Sequence, residues 1–391
     1  MKRALTVILL SILFVLFYFV FKNRGTLPVI LPPAKIPVDR VNGDNLGLNI
    51  PDNFSIQIFA KDLTAPRVLK FDENDTLLAS IPKAGQVVAL PDYNHDGIAD
   101  KTVILANSLN RPHGLALKDG RLYVAEVNNV ISFDYDSQSL KVSNKKSELS
   151  LPGGGRHSTR TIEFGPDGNL YISVGSTCDV CIEKDERNGT ILTADMKSSS
   201  VDIFARGLRN SVFFIFHPQT FKIWATEMGR DFLGDKLPPD EINIIEKDKD
   251  YGWPKCYGNR IHDTVFDKNL YTQIMPQPPC GETQPPVFDI CAHCAPLGLS
   301  FIYSGQFPSE WQGDLLISYH GSWNSTKPVG YKVVKLNVEG EKIVSEEDFI
   351  TGFLNGSQVI GRPVDLVFDK KGNLFISDDK AGYIFILKKL T

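Results

Sequence analysis

The sequence predicts an all-β protein: a six-bladed β-propeller with four-stranded antiparallel blades, carried behind an N-terminal membrane-anchoring helix. One hairpin formula returns six times along the chain: an apolar strand, a Gly/Asp/Asn turn, and a second strand of aliphatic and aromatic residues. Helical periodicity is almost absent beyond the N-terminal segment. The composition is that of an ordinary globular chain, 391 residues with 42% hydrophobic, 23% charged, 31 Gly and 24 Pro, which excludes disordered, fibrous and multi-span membrane classes. A formal net charge of -4 supplies no basic surface, so no nucleic-acid partner is expected.

The N-terminal element is the first to justify. Lys2 and Arg3 precede an uncharged run from Ala4 to Phe21, which Lys22 and Arg24 close. About 18 largely apolar residues are the lower limit for a helix crossing the hydrocarbon core. The stretch Phe19-Val-Phe-Lys-Asn-Arg24 lacks the small residues of a cleavage site. Residues 1–24 therefore read as an uncleaved signal anchor, with a removed signal peptide and secretion as the alternative. Residues 25–48 carry Leu27-Pro28, Leu31-Pro-Pro33 and Ile36-Pro37 without periodicity, the pattern of a semi-stiff spacer. Residues 49–391 form the propeller.

The six hairpins run Val68 to Ser80, Gly114 to Glu126, Thr161 to Ser176, Val212 to Glu227, Leu299 to Gly321 and Val364 to Asp379. Most steps between them are about 45–59 residues, which suits four strands per unit. The step from Ile223 to Leu315 is longer and implies an insertion at about 231–297. Ring closure explains the recurrence and leaves only short, protected strand edges; a pair of β-sandwiches does not explain it. The insertion is rich in proline and holds four of the six cysteines. With little core of its own it needs cross-links, and a long loop on a rigid scaffold is where a binding site is expected.

Cysteines indicate the compartment. All six lie between Cys178 and Cys294, as Cys178-Asp-Val-Cys181, Cys256, Cys280 and Cys291-Ala-His-Cys294. An even count in an exported chain reads as disulfides; six cysteines permit about fifteen pairings, which the sequence leaves open, and Cys178–Cys181, Cys256–Cys280 and Cys291–Cys294 are the set expected. A zinc site from the two Cys-x-x-Cys pairs is the alternative, against which their wide separation counts. The body is then expected on the periplasmic or extracellular face of the cytoplasmic membrane.

Function should sit where the first strands of the blades converge. The segments leading into them are Ala65-Pro-Arg67, Arg111-Pro-His113-Gly114, Arg156-His157-Ser-Thr-Arg160, Arg209-Asn210, Ala295-Pro-Leu297 and Gly361-Arg362-Pro363. Five of these six segments carry Arg and two add His. Clustered guanidinium groups repel unless an anion lies between them, which favours a ligand with several carboxylates or phosphates. The bland reading is that some of them pair with Asp or Glu within the blades.

At these residues a resemblance emerges. The run from Pro152 (Pro-Gly-Gly-Gly-Arg-His-Ser-Thr-Arg-Thr-Ile-Glu-Phe-Gly-Pro-Asp-Gly168) through Val174-Gly-Ser-Thr-Cys-Asp-Val-Cys181 resembles the sorbosone dehydrogenase-like branch of the soluble quinoprotein sugar dehydrogenases. So do Phe204-Ala-Arg-Gly-Leu-Arg-Asn210, Glu227-Met-Gly-Arg-Asp231, Leu237-Pro-Pro-Asp-Glu-Ile-Asn243 and Asp250-Tyr-Gly-Trp-Pro254. Ala295-Pro-Leu-Gly298, His320-Gly-Ser-Trp-Asn324 and Gly361-Arg-Pro-Val-Asp365 complete the set, in order, over nearly the whole body. The resemblance implies a six-bladed propeller oxidising an aldose, sugar aldehyde or related polyol by hydride transfer to pyrroloquinoline quinone, with Ca²⁺ against the cofactor. It implies His157 as general base and Arg209, Asn210 and Arg362 beside the cofactor. The backbone carbonyls of about Gly229 and Arg230 are the implied Ca²⁺ ligands. The family's cofactor-contacting Lys has no clean counterpart, so Trp323, Asn324 or Lys327 stands in its loop. Trp323 is read as stacking on the quinone and His113 as a further cofactor or substrate contact. Asp240 and Glu241 are candidates to support the calcium loop.

A second metal candidate stands apart from the family. Asp92-Tyr-Asn94-His-Asp96-Gly-Ile-Ala-Asp100 places oxygen ligands with the spacing of a calcium loop, although Val103 occupies the position of its closing acid. A structural Ca²⁺ is expected there, an Asx-rich turn being the alternative. Two rival functions remain: a calcium-dependent, lactonase-like propeller hydrolase and a non-catalytic binding propeller. A hydrolase would set side-chain carboxylates and Asn on an axial metal, where this chain offers Arg and His. The electron acceptor, a membrane quinone or a cytochrome, is not encoded in any motif.

Overall fold

The computed structural model describes residues 2–22, 44–269, 271 and 279–390. Six four-stranded antiparallel sheets follow one another around a ring. Each expected hairpin supplies the first two strands of one blade. The first blade is Leu69–Phe71, Leu77–Ile81, Gln86–Leu90 and Val103–Ala106. The sixth joins Pro363–Phe368, Leu374–Asp378 and Tyr383–Lys389 to an outermost strand from the start of the body, Phe54–Ala60, in register from Phe54↔Lys389 to Ala60↔Ile384. The two ends of the body thus close the ring on each other.

The strand sequences account for this architecture. Second strands such as Leu170–Val174, Leu315–Tyr319 and Leu374–Asp378 are buried throughout, because neighbouring blades cover both faces. That is why they read as near-continuous apolar runs. In four of the second strands a Ser or Thr hydroxyl stitches its blade to the next. Ser173 Oγ bonds the Val212 carbonyl, Thr226 Oγ1 that of Leu297, Ser318 Oγ that of Val364 and Ser377 Oγ that of Arg67. All four hydroxyl residues are at most 1% exposed, so each bond satisfies two groups that would be costly to bury alone. Outer strands such as Lys141–Ser150 and Lys342–Ile350 face water with Lys and Glu, which protects the edges from pairing with other chains.

The range 231–297 is only partly an insertion. Asp240–Ile245 and Phe288–Ile290 are the third and fourth strands of the fourth blade, and Pro296–Phe301 opens the fifth. Asp240–Ile245 escapes an apolar-strand reading because it opens with two acids. The excursion proper lies between those two strands and carries a short ribbon, Cys256–Tyr257 with Ile261–His262. The disulfides are Cys178–Cys181, Cys256–Cys280 and Cys291–Cys294, with no free cysteine. Cys256–Cys280 closes a segment with a sequence separation of 24. Replacing both cysteines with serine should cost about 3 kcal/mol, seen as earlier denaturant unfolding and faster proteolysis within the excursion.

The N-terminal segment forms one helix, Lys2–Lys22, exposed from Leu9 to Phe19. Among the described residues no helix is long and apolar enough to cross a membrane. The expected spacer, residues 25–48, lies outside the described residues apart from the turn Asp44–Gly47 and Leu48.

Candidate active site

The loops leading into the first strands gather at one mouth of the ring and line a crater with two joined lobes. One lobe, about 400 Å³, is walled by Arg209, Gly229, Asp231, Asp240, His293, Trp323 and Asn324. The other, about 260 Å³, is walled by Arg67, Arg111, Thr159, Leu297 and His320. Arg156, His157, Asn210 and Met228 line both. His157 therefore stands at the junction.

His157 is held there by its own blade. Its Nδ1 lies 2.8 Å from Ser176 Oγ, and that hydroxyl bonds the Cys178 carbonyl at 2.7 Å. A serine hydroxyl has one proton; here it goes to the carbonyl, so Ser176 accepts from His157 Nδ1–H. The assigned tautomer leaves Nε2 bare, as a proton acceptor requires. Burial, then Arg209 and Arg156, push the imidazole down to about 3, so it is neutral at neutral pH. Gly175 makes the close packing possible: a Cβ there would sit 2.6 Å from His157 Cβ and 2.8 Å from Asn210 Oδ1.

The arginine ring is present, but protein carboxylates already counter much of its charge. Arg67 pairs with Asp379, Arg156 with Asp231, and Arg209 with both Asp179 and Asp231. Arg209 is 4% exposed. Its Nε bonds the Asp179 carbonyl at 2.9 Å and its Nη1 that of Met228 at 3.2 Å. One of its five N–H donors is left over. Arg156 spends one donor, on Asp231, and its guanidinium lies 5.3 Å from the Trp323 ring centre. Arg362 does not line either lobe; it bonds the carbonyls of His320 and Gly321 at 2.9 and 2.5 Å and so braces His320 from behind. Repulsion alone thus does not demand a ligand anion. Even so, the crater wall itself carries Arg67, Arg111, Arg156 and Arg209 against Asp231 and Asp240, an excess of positive charge that Asp179 and Asp379 offset in part from behind.

Asn210 is fixed by its N–H to Glu227 Oε1 at 2.8 Å. Gly229 lines the larger lobe, and Gly229 and Arg230 both line an adjoining cleft. Their carbonyls accept no hydrogen bond from another described residue, as oxygens reserved for a hard cation would require. Asp240 supports this turn: its Oδ1 takes the Gly229 N–H and its Oδ2 that of Ala295, both at 2.8 Å. Burial pushes the Asp240 carboxyl up to about 7. Glu241 instead caps Gly258 N–H at 2.7 Å, and neither acid is solvated. Trp323 is 38% exposed and meets Phe232 edge-on at 6.1 Å.

Other expected residues lie elsewhere. His113 does not reach either lobe: it is 1% exposed, packs on Phe213 at 5.4 Å and bonds Thr161. Asp92, Asn94, Asp96 and Asp100 share a loop off the crater and take its own N–H groups, from Gly97, Asp96, Ile98 and Tyr93 respectively. Among the described residues their carboxylates do not converge within coordinating reach, so the loop is arranged as Asx turns. Three participants were not anticipated. Asp231 joins Arg156, Arg209 and Asn324. Asp179 grips Arg209 from the Cys178–Cys181 loop. His320 lines the smaller lobe and bonds Asp379 at 2.8 Å. An acid ending a second strand (Glu126, Glu227) caps the loop before its own hairpin, a signal that could have drawn attention to the acids Asp378 and Asp379 at the corresponding place.

The comparisons with known proteins agree with this fold. A model of the family described as TrAA12-like matches residues 48–390. The chain is similar to the pyrroloquinoline quinone-dependent sugar dehydrogenase of Hypocrea jecorina, with 23% identity over 86% of this chain and 88% of that one. It is similar to the pyrroloquinoline quinone-dependent pyranose dehydrogenase of Coprinopsis cinerea, with 25% identity over 88% of this chain and 55% of that longer protein. A solved calcium structure of a Trichoderma reesei enzyme of Carbohydrate-Active Enzymes Family AA12 shares the fold with a TM-score of 0.76 and 23% identity, covering 88% of this chain and 97% of its own. With the match spanning the closed ring and every loop that lines its crater, the chain belongs to the TrAA12-like family.

Proposed function

We propose that this chain is a quinoprotein sugar dehydrogenase, oxidising an aldose, sugar aldehyde or related polyol with pyrroloquinoline quinone bound in the crater. The observation that carries the proposal is His157: a neutral imidazole with bare Nε2, at the junction of two lobes, beside guanidinium groups with donors to spare. The donor set fits a tricarboxylic cofactor and a hard cation. Arg156 and the remaining Arg209 donor would take its carboxylates, and the Gly229 and Arg230 carbonyls would hold Ca²⁺. When bound, the quinone supplies a hydride acceptor and the cation polarises it.

The chain's own residues do the rest. His157 Nε2 takes the proton of the substrate hydroxyl, and Nδ1–H on Ser176 keeps the ring oriented as it does so. Asn210 and Asn324, which both line the larger lobe, offer amide groups to sugar hydroxyls. Trp323 offers a flat apolar face at its rim. Hydrolysis finds no comparable support, since among the described residues no three acidic or imidazole groups converge in the crater to cage a metal.

The same proposal places the propeller outside the cytoplasmic membrane, tethered by the helix Lys2–Lys22. Three disulfides without a free cysteine support an oxidising compartment, and the exposed apolar stretch Leu9 to Phe19 supports a tether. A membrane quinone or cytochrome would carry electrons onward. The test is purification of the full chain, addition of pyrroloquinoline quinone and Ca²⁺, and dye-linked oxidation of a panel of aldoses. Activity that requires the quinone is expected; oxidation indifferent to it, or hydrolysis without it, overturns the proposal.

A further inference from the structure

His157 and Arg209 enter the crater from different blades, yet both hang on one short loop. Ser176 Oγ, which accepts from His157 Nδ1–H, bonds the Cys178 carbonyl at 2.7 Å. The next residue, Asp179, holds Arg209 twice: its carbonyl takes Nε at 2.9 Å and its Oδ1 takes Nη2 at 2.7 Å. The same Oδ1 receives the Asp231 N–H at 2.8 Å, and the same carbonyl receives Trp253 Nε1 at 3.3 Å. The loop has no strand pairing to fix it. It is closed instead by the Cys178–Cys181 disulfide and by Glu183, whose carboxylate takes the N–H and hydroxyl of Thr177 at 2.6 and 2.7 Å. None of Cys178, Asp179 and Cys181 lines either lobe.

We propose that the Cys178–Cys181 disulfide ring is the positioning element of the site, setting the tautomer of His157 and the place of Arg209 through two adjacent carbonyls and one carboxylate. The inference rests on the reading of His157 as base and deepens it. A four-residue ring closed covalently leaves its carbonyls few directions to point, whereas an open loop of this length samples many backbone states. Freed, Cys178 O and Asp179 O lose their aim. Ser176 can then turn its proton toward Nδ1, and the imidazole can place its own proton on Nε2. Asp179 acts through its neighbours and is a positioning residue.

The test uses the full chain as a Cys178→Ser, Cys181→Ser double variant. Turnover of the quinone-loaded protein should fall about 10²-fold, as expected for a base displaced by about an ångström, with KM and the melting temperature little changed. ¹⁵N NMR of the histidine rings in the quinone-free protein reads the ring directly, whether or not the protein oxidises sugars. His157 is expected as a single Nδ1–H form in the parent and as a mixture in the variant. Asp179→Ala should lose turnover and bind the quinone about tenfold more weakly in a fluorescence titration, one Arg209 anchor being worth about that much. Asp179→Asn, which keeps the acceptor oxygen, should recover most of the loss. Parent-like turnover and an unmixed His157 tautomer in the double variant overturn the proposal. If that variant does not fold, unchanged quinone affinity and turnover in Asp179→Ala overturn it. A quinone-independent parent overturns the proposed function instead, leaving the tautomer result to decide the positioning role.

Discussion

Replacing His157 with alanine should lower turnover in the quinone-dependent assay by about 10²–10⁴-fold, the usual worth of a positioned general base. Binding of the quinone should change far less, because Arg156, Arg209 and the Gly229 turn remain. His157→Gln is the sharper control, since it keeps polarity and approximate size without a basic nitrogen. The pH profile carries the same argument. Burial, Arg209 and Arg156 hold the imidazole near about 3, against an ordinary value of 6.5. A bound polyanion raises it again by offsetting the guanidinium groups. The acid limb of kcat/KM is therefore expected above about 3 and below 6.5, since activity requires the neutral ring and is lost as pH falls through its value. A limb at or above 6.5 would mean that another group is the base. His320, pushed down to about 4 by burial and Arg362, falls in the same window and is separated from His157 by the His157→Gln variant; its Nε2–H donates to Asp379, which leaves it less free to turn toward a substrate.

The ring was legible because its physical signal is local. Six hairpins of one formula are short-range patterns, and in four of them the structure gives the Ser or Thr of the second strand a common purpose between blades. His157, Arg209 and Asn210 were legible for a similar reason: they stand immediately before first strands, and the topology brings such segments to one mouth. What could not be read was the pairing of charges across blades. Asp231 meets Asn324 across a sequence separation of 93, and Arg67 meets Asp379 across one of 312; no spacing rule reaches that far. Nor could burial be read from residue type. Asp240 and Glu241 look like a solvated pair, yet each is capped by backbone N–H groups and opens a buried strand. His113 fails in the opposite direction, since a position before a first strand does not by itself put a side chain on the crater side.

Truncating Asp231 to alanine should be the most destabilising single change at the crater. Its carboxylate is 7% exposed and receives Arg156 at 2.7 Å, Arg209 at 3.1 Å and Asn324 at 2.5 Å. The Arg209 side chain is 5% exposed, and removing Asp231 leaves this buried cation to Asp179 alone, a lesion of about 1.5–3 kcal/mol, the worth of a hydrogen bond to a charged group. The Arg156 pair adds little to that figure, because Arg156 is 36% exposed and water screens it. Asp231 is also the anion that holds two guanidinium groups in the place of a ligand. Its loss should therefore make the quinone a stronger stabiliser: a bound tricarboxylate repairs part of the defect in the variant and has less to repair in the parent. Thermal melts with and without quinone separate the two contributions, because a ligand stabilises in proportion to the logarithm of its concentration over Kd. The expected result is a variant melting well below the parent when quinone-free and recovering part of the difference when loaded. Equal shifts in both proteins would show that the cofactor does not meet the Asp231 guanidinium pair, and the placement of its carboxylates on Arg156 and Arg209 would fall with that result.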